Sequence, residues 1–150
     1  MADIVSPEQR SRNMAAIRSK DTKPEIIIRK LLFSHGYRYR IGSKSIPGHP
    51  DIFLRKYNTA IYVHGCFWHR HNGCKYAYMP KSRVDFWQKK FDANVKRDLI
   101  VEAELLHLGI KRLVIWEWTI RAMQRDDDLS RKTLESCQMF FVSKEAVLEL

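Results

Sequence analysis

Between His64 and Cys74 the chain sets three histidines, two cysteines, Phe67, Trp68 and Arg70 within eleven residues. The segment follows directly on residues 60–64, whose apolar content reads as a strand. Core packing alone does not explain such a density, because imidazoles, thiols and a guanidinium need polar partners once they leave water. The fold must therefore end a strand at a polar loop and gather the chemistry there. Phe67 and Trp68, adjacent inside that loop, are hard to turn inward together. Aromatics lying between cationic groups suit stacking on, or wedging between, bases.

At 150 residues the chain is long enough for one domain with its own core, and residues 1–150 read as a single unit. Lys and Arg outnumber Asp and Glu by 27 to 17, a net charge of +10, which points to a polyanionic partner. The first residues show no basic-plus-apolar leader, and no apolar run approaches the ~20 residues of a membrane span. Three cysteines, two of them close together, suit a reduced cytosol and a metal site better than a disulfide framework.

Ser6, Pro7 and Gln9 open a helix that runs to Lys20. Its apolar content is little more than Met14, Ala15, Ala16 and Ile17, ringed by Arg10, Arg12, Arg18 and Lys20. With so little to bury, residues 1–20 read as a basic arm that docks on a partner. Thr22 and Glu25 form a capping box for an amphipathic helix (Ile27, Ile28, Leu31, Leu32) that stops at Gly36. Strands are expected at 37–41, 51–54 and 60–64, the last two joined by a turn at 56–59. Residues 84–108 form a long helix with Trp87, Phe91, Val95 and Leu99 on its apolar stripe, ended by Gly109. A buried strand at 113–116, an acidic turn at 126–128 and a last helix at about 130–140 complete an α/β chain with helices on a small mixed sheet.

Asp51 opens a strand after Pro47-Gly48-His49-Pro50, at the mouth of a sheet, where a carboxylate is a hard-oxygen site suited to Mg²⁺; a turn-capping role is the alternative. If strands 51–54 and 60–64 are antiparallel, Asp51 meets the end carrying Val63 and His64. His64 and His69 are then candidates for activating water, since imidazole titrates near neutrality. Asp98, Asn94 and Lys90 share a helical face with Trp87, so Asp98 is placed to orient a histidine, or the group is simply a solvated charged face. Cys66, His71 and Cys74 are spaced as three ligands of a tetrahedral Zn²⁺, leaving His69 or Cys137 as a fourth, or the thiols as free buried cysteines.

Several motifs in order, Arg-Ser-Arg-Asn-Met-Ala-Ala-Ile-Arg from Arg10, Asp21-Thr22 with Glu25, Pro-Gly-His-Pro-Asp51, His64-Gly-Cys-Phe-Trp-His69, Phe86-Trp87, Asn94-Val-Lys-Arg-Asp98 and Val114-Ile-Trp-Glu117, resemble the very-short-patch repair endonucleases. The resemblance implies a restriction-endonuclease-like three-layer fold and Mg²⁺-dependent nicking of one strand 5′ to the thymine of a T·G mismatch left by deamination of 5-methylcytosine. It makes double-stranded DNA the partner, with mismatch-repair proteins beside it, for a monomer working in the bacterial cytoplasm on the nucleoid. Asp51 resembles the metal-binding aspartate, and the Val63 carbonyl its main-chain partner, where the family usually carries Thr. His69 resembles the general base, with His64, Asp98 and Glu25 in support. Phe67, Trp68 and Trp87 are similar to the intercalating aromatics, Met14 and Ile17 to the wedge on the arm, and Lys90 and Asn94 to the readers of flanking bases. The family's structural Zn²⁺ takes Cys66, His71, Cys74 and a further cysteine where this chain has Trp118, and Gly73 is an insertion. A nuclease of the same fold with other selectivity, and a non-catalytic mismatch- or nucleic-acid-binding module, are the rival expectations.

Overall fold

The computed structural model describes residues 6, 8–9 and 21–150. The expected arm, with Met14 and Ile17, lies outside the described residues except at its start, where the Gln9 N–H donates to Ser6 Oγ at 3.1 Å, as the N-cap reading requires. Helix α1 (Lys23–Ser34) begins with Pro24 in its first turn and buries Ile28 and Leu32. The capping box is altered: the Thr22 side chain makes no cap bond, and Glu25 reaches back to the Asp21 N–H at 2.9 Å. The expected strand at 37–41 reduces to one bridge, in which Arg40 and Phe53 exchange both backbone hydrogen bonds. The strand it meets is only three residues long, so the outer edge offers little more to pair with.

Strand β1 (Ile52–Leu54) runs antiparallel to β2 (Thr59–His64), with Ile52 opposite Ile61. The turn between them is closed by Asn58 in the left-handed region at φ 48°, whose side chain donates to the Gly109 carbonyl. Helix α2 (Val84–Leu108) then crosses to β3 (Lys111–Trp116), parallel to β2, with Gly109 at φ 71° ending the helix. Two short elements had no sequence signal. Helix α3 (Glu117–Met123) follows β3 directly, and β4 (Val147–Glu149) adds a parallel edge strand to give the order β1-β2-β3-β4. The acidic turn is the start of α4 (Asp127–Val142), not a separate loop. Asp126 caps it by accepting the Leu129 N–H, and Asp127 and Asp128 sit in its first turn, where the helix dipole favours anions.

Strand alternation splits the core in two. Ile61, Leu113 and Ile115 pack with α1, α3 and α4. Ala60, Tyr62, Val114 and Trp116 face the other way, toward α2 through Val101 and Leu105. The result is the three-layer, restriction-endonuclease-like arrangement of a small mixed sheet between helices. No helix among the described residues is long and apolar enough to cross a membrane.

The apolar stripe of α2 differs from the expected one. Phe91 and Leu105 are buried, but Val95 and Leu99 are 38% and 61% exposed. Repeated steps of four residues drift by about 40° each on a helix of 3.6 residues per turn. The inward face instead alternates steps of four and three, through Trp87, Phe91, Asn94, Asp98, Val101 and Leu105. Lys90 is left exposed beside this face. The polar residues on the inward row are what α2 delivers to the site.

Candidate active site

A cavity of about 730 Å³ opens at the ends of β1 and β2 against α1 and α2, and Glu25, Asp51, His64, His69 and Asp98 all line it. Antiparallel pairing sets Asp51 where its N–H donates to the Ile61 carbonyl at 3.0 Å and its Oδ2 accepts the Val63 N–H at 2.7 Å. The expected meeting of Asp51 with the Val63 backbone is therefore present. Burial pushes the Asp51 carboxyl up to about 7; the Val63 N–H opposes this and neighbouring Glu25 reinforces it. Glu25, 4% exposed, is held by Arg29 at 3.1 Å, and Arg29 also binds Asp21 at 2.7 Å. Two carboxylates crowded at the same place form a hard-oxygen donor set that a divalent cation would relieve, so the residues present fit Mg²⁺.

The imidazoles form a second group. His69 Nδ1 lies 2.7 Å from Asp98 Oδ2. An ionised carboxylate only accepts, so Nδ1 carries a proton, and in the neutral imidazole the lone pair is on Nε2. Burial alone would raise the Asp98 carboxyl, but the hydrogen bond and charge of His69 outweigh it and hold Asp98 below the usual carboxylate range. The His64 ring stacks on His69 with centroids 3.8 Å apart and planes within 3°. Burial, then repulsion from the charge His69 carries whenever it is protonated, push His64 down to about 3, so it stays neutral beside its partner. The structure thus pairs Asp51 with Glu25 and the Val63 backbone, and His69 with Asp98 and His64, two groups facing one cavity. The donor atoms of His64, His69 and Asp98 lie within 4.8 Å of one another, a group that does not include Asp51.

Phe67 and Trp68 are both half-buried, because α2 offers them a wall. Phe67 packs against Trp68, Trp87 and Phe91 at 5.1, 5.5 and 5.1 Å, and Trp68 meets Trp87 at 5.8 Å. Arg70 holds the loop closed. It lies 3.9 Å over the Phe91 ring and donates to the carbonyls of Phe67, Ala77 and Tyr78, a role with no signal in the sequence. Asn94 donates to the Trp68 carbonyl at 3.1 Å, so its amide nitrogen positions the aromatic loop.

Cys66, His71 and Cys74 bring their donor atoms within 4.8 Å of one another, which fits three ligands of Zn²⁺. Cys137 is not a fourth: it is buried in the core on the opposite side of the sheet from Cys66. His69 is engaged by Asp98 instead. At Trp118 the backbone N–H donates to Cys66 Sγ at 3.3 Å, while the indole packs on Tyr76 at 5.5 Å. A donor hydrogen thus stands beside the thiol, and among the described residues no fourth His, Cys, Asp or Glu donor joins the set.

A family model described as DNA mismatch endonuclease Vsr matches residues 2–75. The type II nicking enzyme V.NmeAIP of Neisseria meningitidis is 46% identical over 121 residues, covering 81% of this chain and 86% of that protein. The type II nicking enzyme V.XorIIP of Xanthomonas oryzae pv. oryzae is 46% identical over 117 residues, 78% of this chain and 85% of its own length. DNA mismatch endonuclease Vsr of Escherichia coli K12 is 38% identical over 128 residues, 85% of this chain and 81% of that enzyme.

Proposed function

The chain belongs to the Vsr family of DNA mismatch endonucleases, DNA-cleaving hydrolases, and from that premise we propose that it nicks one strand 5′ to the thymine of a T·G mismatch left by deamination of 5-methylcytosine. It does so as a monomer, on the bacterial nucleoid in the cytoplasm. The observation that carries this reading is the His69–Asp98 hydrogen bond of 2.7 Å facing the same cavity as the half-buried Asp51 and the buried Glu25. Asp51 and the Val63 carbonyl would hold Mg²⁺, which supplies Lewis-acid stabilisation of the charge that builds on a phosphodiester. Glu25 sets the local charge beside Asp51. Asp98 fixes the His69 tautomer, and His69 Nε2 takes the proton of the attacking water as its oxygen bonds to phosphorus and the opposite P–O bond breaks, the leaving sugar oxygen taking a proton from solvent. His64, neutral and stacked, keeps the His69 ring in plane and leaves the acquired proton there.

Selectivity comes from what must be unstacked. Phe67, Trp68 and Trp87 insert on one side, and Met14 and Ile17 on the arm wedge the other; the unstacking cost is least at a mismatch. Lys90, exposed on α2, and Asn94, beside Trp68, contact the flanking bases. The test is a labelled T·G duplex with Mg²⁺ beside C·G and A·T controls. The expected result is a single nick in the thymine strand of the mismatched duplex alone. Equal cutting of the controls would favour a nuclease of other selectivity, and retention without cutting a binding module. Trp68→Ala should lower the preference for mismatched over paired duplex by about 10-fold, since aromatic stacking on a base is worth roughly 1–3 kcal/mol. An unchanged preference would remove Trp68 from recognition.

Cys66, His71 and Cys74 would hold a structural Zn²⁺ with a solvent ligand in the fourth position. Zinc should therefore leave readily: dialysis against a chelator is expected to strip it and to lower the melting temperature. Trp118→Cys should tighten zinc retention by more than about 10-fold, read by metal analysis after dialysis. Equal zinc loss from both proteins would show that position 118 does not reach the metal.

A further inference from the structure

The turn that leads into Asp51 carries an imidazole that the catalytic arrangement does not use. His49 adopts φ +47°, a left-handed backbone conformation unfavourable for a residue with a Cβ. Its neighbours hold it there. The His49 N–H donates to the Ile46 carbonyl at 3.1 Å, and the Tyr62 hydroxyl donates to the Pro47 carbonyl. Gly48, at φ +74°, is pressed so close to α2 that a Cβ would lie 2.8 Å from Val101 Cγ1 and 3.2 Å from the Tyr62 ring. Glycine at position 49 would relieve the backbone at no cost in burial, because the His49 side chain is exposed. His49 nevertheless lines the cavity, as does Arg97 of α2, and both are exposed.

The cavity is therefore graded. Buried or half-buried carboxylates, Glu25, Asp51 and Asp98, line it beside the buried Arg112, and exposed hydrogen-bond donors, His49 and Arg97, line it from two different elements. A cation suits the first and a passing polyanion the second. We infer that His49 is a positioning residue that donates a hydrogen bond to a non-bridging oxygen of a DNA phosphate neighbouring the one cleaved. The turn pins its backbone so that the register of the strand over Asp51 is set by a rigid contact, not by a mobile surface side chain. The inference rests on the nuclease reading given above, but its main readout is affinity, which does not require T·G selectivity or turnover.

The experiment uses the full chain, a fluorescently labelled duplex in buffer without divalent ion, and nicking kinetics with Mg²⁺. His49→Gly removes the side chain while accepting the left-handed backbone. His49→Asn keeps a donor and tolerates that conformation. His49→Gly is expected to weaken duplex affinity and raise KM by about 10-fold, the scale of one hydrogen bond to a charged group, with kcat within about twofold and no fall in melting temperature. His49→Asn should recover most of the affinity. The inference is overturned if His49→Gly binds the duplex as the parent does, if the loss falls on kcat with KM unchanged, or if His49→Asn is as weak as His49→Gly. If nicking proves indifferent to T·G while the affinity pattern holds, the mismatch reading fails and the phosphate contact stands.

Discussion

Asp51→Asn should leave the chain folded, more stable near pH 8 than its parent, and nearly devoid of nicking activity. The loss is expected to reach about 10³-fold, because a carboxylate ligand supports several kcal/mol of charge stabilisation and each 1.36 kcal/mol is tenfold in rate. The gain in stability follows from the raised carboxyl. Asp51 titrates at about 7 in the folded chain against 3.8 as its ordinary value. Between those values the folded state binds more protons than the unfolded state, so stability falls as pH rises through that window. The penalty is absent below about pH 4 and complete above about pH 7, and the amide does not suffer it. Melting curves of both proteins should thus coincide near pH 4 and separate by pH 8, where added Mg²⁺ should raise the melting temperature of the parent only. Coincident curves at pH 8, with no response to Mg²⁺ in either protein, would show that Asp51 is neither strained nor a ligand.

His69→Ala should lower kcat by 10²- to 10⁴-fold, the range for removing a general base, with KM for the mismatched duplex little changed. Asp98→Asn probes the same proton from the other side. The amide presents either a carbonyl or an NH₂ to Nδ1, so the tautomer that leaves Nε2 basic is no longer enforced; a loss of at least about 10²-fold is expected. The double variant should be hardly slower than His69→Ala alone, because the two residues act as one unit. Single-turnover rates at saturating enzyme decide this. A His69→Ala rate within tenfold of the parent would place the proton acceptor elsewhere. Additive losses would separate Asp98 from His69.

Much of the site was legible because its signals are local. Strand-forming residues ran straight into the histidine–cysteine segment, and Asp51 followed a turn motif, so the mouth of a sheet could be read from composition and order alone. Other features are weak in one dimension. The chain at 37–41 alternates like a strand, yet its neighbour is only three residues long, and one bridge is all that forms. The edge strand β4 is equally short, and its side chains alternate without a buried face to reveal it. The ends of helix α2 are legible in the sequence and its inward row is not: Val95 and Leu99 are apolar, but the helix turns toward the sheet the row that carries Asn94 and Asp98. Polar residues on a buried face look like solvent-facing ones until the cavity they line is known.

The residue order determined which chemical groups the molecule has, where most helices and strands begin, and that a basic chain would carry its reactive loop at a strand end. Tertiary structure alone decided the partnerships. It matched Asp51 with Glu25 and His69 with Asp98, put Cys137 across the sheet from Cys66, and set the Trp118 N–H where a further metal ligand would have closed the zinc-type site. The reason is that pairing across a sheet and the rotational phase of a helix depend on contacts between residues far apart in the chain, and no local pattern encodes which face will meet which.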